Sequence, residues 1–167
     1  MRLYVPATLD DLDTMTVTAR GSRWDVPPRG AHAVTGALVA ALSDEDDETR
    51  EYAAFLAAAD AALVLVAGDA GAAPLRAVVT VEVPDHAVTE AAGDVAPSGV
   101  DVMAVPGTKV EAIHVDEPEA ARDVRALLAA VDADDDEALE TATDLLDQRD
   151  LLWYHPTEAH QVPRPPA

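Results

Sequence analysis

Few residues in this 167-residue chain are of a type that does acid–base, nucleophilic or metal chemistry. Histidine is the first of them: His32, His86, His114, His155 and His160 stand among 32 Asp and Glu. His114 falls in a strand-like run two residues before Asp116, and strict alternation puts it on the face of Val110 and Ala112. An imidazole held beside a carboxylate can act as a general base near neutral pH. The same pair can equally be a core histidine bonded to its neighbours. His155, Glu158 and His160 bring three possible ligands within six residues. Zinc sites, however, use preorganised ligands, and this trio sits in a Pro-containing segment, so weak metal binding is an alternative reading only. The acidic runs at 44–48 and 132–137 carry oxygen donors but no calcium-loop pattern, and 108–167 contains no glycine, so they suit helix starts.

Other chemistries have little to work with. There is no cysteine, hence no thiolate nucleophile, no disulfide and no Cys-based metal site. Ser22, Ser43 and Ser98 stand outside any G-x-S-x-G, and no phosphate-binding glycine loop occurs. Lys109 is the only lysine. No cofactor is expected. Paired-carboxylate hydrolysis is not selected by spacing, because acidic pairs are everywhere.

The net charge of -21 argues against nucleic acid or an anionic membrane as partner, since both need a basic face. Residues 1–83 carry 6 basic and 13 acidic groups, and 84–167 carry 5 and 19. Against this field, Arg20, Arg23 and Arg29 gather around Trp24. Arg and Trp dominate interface hot spots, so residues 20–30, read as a Gly- and Pro-containing loop, are a candidate contact for an acidic protein partner or a small anion. The alternative is that the loop pairs with the protein's own acidic helices and Trp24 caps the core.

These residues have to be positioned by the elements around them. The spacing predicts a strand at Arg2–Val5, then a helix capped by Thr8. Thr35 caps a short helix to Leu42, and the acidic run at 44–48 opens a long helix to about Val66, with Tyr52, Phe55, Leu56, Ala59, Leu63 and Val66 on one face. Residues 76–83 alternate as a strand. Residues 84–99 read as a loop. Strands at 100–105 and 109–115 read as a hairpin around Pro106-Gly107-Thr108. Helices follow from Asp116 to about Val131 and from Asp134 to about Asp147, and Leu151–Tyr154 reads as a closing strand.

Three stretches, MRLYVPATLDDL, AHAVTGAL, and the pair EAIHVDEPEA and DLLWYHPTE, recur in this order in proteins the chain resembles. They are a family of small actinobacterial proteins of unknown function with an R-V-Y-V-P-A-T-like start and an L-L-W-Y strand near the end. Gly36 stands where the family pattern has Pro, and His155-Pro156 follows Trp153-Tyr154 where other residues are usual. The resemblance implies an intracellular single domain and no activity, cofactor or ligand.

The expectation is therefore an α+β protein: one two-layer domain over 1–155, with a mostly antiparallel sheet of about five strands and four to five helices, then a poorly ordered Pro-rich tail at 156–167. It is expected in the cytoplasm, as a non-catalytic protein-interaction or regulatory module. The surfaces expected to carry contacts are the 20–30 loop and the strand around His114. The alternatives are a small enzyme using the His114 and Asp116 pair, or a weak metal-binding protein at His155, Glu158 and His160.

Overall fold

The computed structural model describes residues 1–93 and 95–165. Residues 94, 166 and 167 belong to the expected loop and tail and lie outside the described residues. The chain opens with β1 (Arg2–Ala7) and α1 (Leu9–Asp13), where Thr8 and Asp11 form the reciprocal cap that an extended Thr ahead of a helical turn makes possible. There follow β2 (Thr16–Thr18), β3 (Gly21–Val26), β4 (Arg29–His32), α2 (Gly36–Ala41) and the long α3 (Asp47–Gly68), the last two capped by Thr35 and Asp46. The second half holds β5 (Ala77–Glu82), β6 (Val88–Glu90), β7 (Gly99–Val102), β8 (Val105–Val115), α4 (Ala121–Ala133), α5 (Asp136–Asp147) and β9 (Leu152–Tyr154), and ends in a 3-10 helix at Pro156–Gln161.

Among the described residues one antiparallel sheet has nine strands, in the order β2-β3-β8-β5-β1-β4-β7-β6 with β9 added beside β8. The fold is α+β, but the sheet is nearly twice the size expected. Three of the extra strands come from segments read as loops. Residues 20–30 hold β3 and part of β4, and 84–99 holds β6, because their alternating residues (Ser22, Trp24, Val26) bury one face while Gly and Pro occupy the joints. The expected hairpin at 100–115 does not form. β7 pairs with β4 and β6, whereas β8 runs unbroken for 11 residues and pairs with β3, β5 and β9. Pro106 and Gly107 sit inside β8, where Gly107 takes a φ of 64° and its N–H donates to Asp25 Oδ1 at 2.6 Å.

Both arms of the sheet feed a single core: Trp24 and Val26 from β3, Val100 and Val102 from β7, and Leu3, Val5, Val79, Val81 and Ile113 from the centre. Leu9 and Leu12 of α1 join this core, as do Ala159 and Val162 from the segment read as a tail. The opposite face carries α3, which packs Ala54, Ala58 and Ala59 on Tyr4 and Val78. Small residues one turn apart let the helix lie close to the strands. That changes which face of α3 is buried: the larger Tyr52 and Leu56, expected to face inward, stay 55% and 42% exposed. The 22-residue α3 is long and apolar enough, by length and composition alone, to cross a membrane. Its C-terminal Val66 meets Val124, Leu127, Ala142 and Leu146 of the α4–α5 pair in a third cluster.

Candidate functional site

A β-bulge decides where His114 points. β8 and β5 pair as Val115 with Ala77, His114 with Val78, Ile113 with Val79 and Ala112 with Thr80, and then Val110 with Val81, so Glu111 is an extra residue. Val110 consequently turns into the core with Ile113 and Val115, while Ala112 and His114 face α3. The alternation expected to place Val110 and His114 on one face breaks at that bulge.

His114 thus lines a cleft of about 800 Å³ between α3 and the segment that links α5 to β9. Strand β1 contributes Tyr4, α3 contributes Glu48, Glu51, Tyr52, Phe55, Leu56 and Asp60, the end of α5 contributes Asp147, and the linking segment contributes Arg149, Asp150 and Leu151, with Arg76 below. The Phe55 ring meets the imidazole edge-on at 4.9 Å and stacks with Tyr52 at 6.2 Å between centroids. His114 Nδ1 is buried with no hydrogen-bond partner, and burial lowers the imidazole pKa, which disfavours the charged ring. Directly opposite His114, β9 presents Trp153, 59% exposed.

The carboxylate next to His114 is committed elsewhere. Asp116 Oδ1 accepts from Arg76 Nη2 at 2.9 Å, and its Oδ2 accepts from the Arg76 backbone N–H at 2.8 Å, in a pair that is almost wholly buried. Arg76 Nη2 also donates to the carbonyls of Leu146 and Arg149, which ties the linking segment to the sheet. Arg149 in turn bonds Asp123 and Glu117. At the other end, Tyr4 Oη donates to Glu51 Oε2 at 3.1 Å, and burial together with Glu51 pushes the phenol up to about 12. Partial burial raises the Asp60 carboxyl above its ordinary range, Arg76 pulling it down and Asp147 pushing it up.

The other candidates are spread around the molecule. Trp24 is 2% exposed inside the core, with the Arg29 guanidinium 5.1 Å from its ring centroid. Arg29 forms a two-pronged pair with Asp11 and donates to the Pro6 carbonyl, Arg23 donates to the Gly107 carbonyl at 2.6 Å, and Arg20 is exposed at the β2–β3 turn. The cluster that looked like a contact loop is therefore mostly absorbed by the fold. His155 and Glu158 cap the last 3-10 helix, while His160 Nε2 lies 3.0 Å from the Met15 carbonyl oxygen. Among the described residues no three His, Asp or Glu side chains converge as metal ligands. The cleft residues that sequence reasoning missed are Tyr4, Glu51, Tyr52, Asp60, Arg76 and Arg149. Their one visible signal was the Tyr52, Leu56 and Asp60 row on α3, spaced one turn apart with apolar and charged residues mixed.

The model of a family of unknown function (DUF6912) matches residues 1–162. No curated protein and no solved structure matches the chain.

Proposed function

The chain belongs to the family of unknown function DUF6912, so its role is read from its own side chains, and we propose a non-catalytic binding module whose contact surface is the cleft over His114. The observation that carries this reading is the exposure of large apolar groups in and beside one concavity: Tyr52 and Leu56 line it, and Trp153 stands on the strand next to His114, outside the lining. Tyr52 and Leu56 on α3 and Trp153 on β9 are held out of the core at 55%, 42% and 59% exposure, on two sides of His114. Aromatic anchors around a partly polar cleft are what a recognition surface uses. The rim is firm: α3 is packed through its alanines, and the linking segment is tied down by Arg76. A binding role is favoured over acid–base catalysis because the carboxylate adjoining His114 serves Arg76. An acidic protein of this charge would meet basic rather than acidic surfaces at its fastest rates.

Affinity capture with the full chain tests this. Partners retained by the wild type should be lost with the double variant Tyr52→Ala/Trp153→Ala, whose circular dichroism should be unchanged, and kept with Arg20→Ala. Capture that survives the double variant and fails with Arg20→Ala would move the contact surface to the β2–β3 turn and overturn the proposal.

A further inference from the structure

The electrostatics of the same cleft select the chemistry of what enters it, a step that rests on the cleft being the contact surface. Glu48, Asp60, Asp147 and Asp150 line it without an ion pair or side-chain hydrogen bond among the described residues. The cations beside them are already taken, Arg76 by Asp116, and Arg149 by Asp123 and Glu117. His114 offers no ion pair of its own, its Nδ1 being buried without a partner. An anionic ligand would therefore meet uncompensated carboxylates, and a cation would supply what they lack.

The carboxylates are not gathered as metal ligands. Hard ions such as Mg²⁺ or Ca²⁺ need several oxygens about 2.0–2.6 Å from one point. What the cleft offers instead is diffuse negative charge beside the stacked Tyr52 and Phe55 rings and the Leu56 side chain, a lining suited to a charge carried on an apolar stem. We infer that the cleft receives an organic cation, a guanidinium or ammonium group on an aliphatic stem, presented as an Arg or Lys side chain of a partner protein. The stem packs on Phe55 and Leu56, and the charged head reaches Asp60 and Asp147.

NMR titration of the full chain with acetyl-Gly-Arg-Gly-amide tests the assignment, with acetyl-Gly-Glu-Gly-amide and Mg²⁺ as comparison probes and agmatine as the free amine. The arginyl peptide should shift the resonances of Phe55, Asp60 and His114, and the glutamyl peptide and Mg²⁺ should not. Asp60→Asn, which keeps the side-chain shape, should weaken the arginyl peptide about tenfold, as loss of one charge-assisted contact does. Silence with both cations, an equal response to the glutamyl peptide, or unchanged affinity in an Asp60→Asn/Asp147→Asn variant would overturn it. Binding of agmatine without the peptide would overturn the protein source. If partner capture still depends on Tyr52 and Trp153 while both cations are silent, the contact surface stands and the cation assignment falls.

Discussion

At the scale of single residues, the Arg76–Asp116 pair carries the most. It holds the end of β8, the start of β5 and the carbonyls of Leu146 and Arg149 together with side chains that are 5% and 0% exposed. Removing one member of such a pair strands the other charge away from water. Asp116→Ala should therefore cost about 3–5 kcal/mol in urea unfolding, whereas a change below about 1 kcal/mol would show that water replaces the carboxylate. His114 and Asp116 were legible as chemical types from the sequence, and so was their nearness. Their relationship was not. Two residues apart on one strand face, they look like partners, yet the carboxylate is claimed by an arginine forty residues away in sequence. Nothing local announces that claim. Trp24 illustrates the reverse: flanked by arginines it resembled a surface anchor, and the alternation of Ser22, Trp24 and Val26 in β3 sends it into the core.

At the scale of elements, the bulge at Glu111 is the device that aims the site. Because strand side chains alternate, one extra residue turns every later position over. Deleting Glu111 should restore regular pairing with β5 without turning any side chain over, because every remaining residue keeps its partner: Val110, Ile113 and Val115 stay in the core and His114 stays toward α3. The expected outcome is a cooperative thermal transition and a retained Phe55–His114 contact. A deletion variant that loses the cooperative transition or that contact would refute that account. The bulge leaves little trace in the sequence, since V-E-A-I-H-V alternates acceptably in either register. The Pro106-Gly107-Thr108 turn signal was real chemistry in the wrong setting: a left-handed glycine kinks β8 rather than ending it. α3 was readable as a helix from its acidic start and apolar spacing. Its orientation was not, because the alanines that permit close approach weigh less in an apolar stripe than the Tyr and Leu beside them.

At the scale of the whole molecule, the last segment closes the core. Pro156, Ala159 and Val162 are buried, and His160 meets the Met15 carbonyl. A chain stopped after His155 would lose roughly 3 kcal/mol of apolar burial and expose Leu9 and Leu12. It should melt about 6–12 °C lower, on a scale of about 2–4 °C per kcal/mol for a protein of this size. An unchanged melting temperature would show that the segment adds nothing. The sequence by itself determined the α+β class, the caps at Thr8 and Thr35, the acidic start of α3, the strands β1, β5 and β9, and a net charge of -21. All of these depend on composition or on neighbours within a few residues, where periodicity and capping act. The sequence did not determine the start of α4, where Asp116 pairs with Arg76 instead of capping and the helix begins at Ala121. The tertiary structure alone decided the order of the strands, the facing of His114 toward a cleft, the absorption of Trp24 and Arg29, and the docking of the final segment. Each of those depends on which distant segment supplies a backbone edge, an apolar surface or a counter-charge, and contacts at that separation are chosen by the packing of the whole chain rather than by any stretch of it.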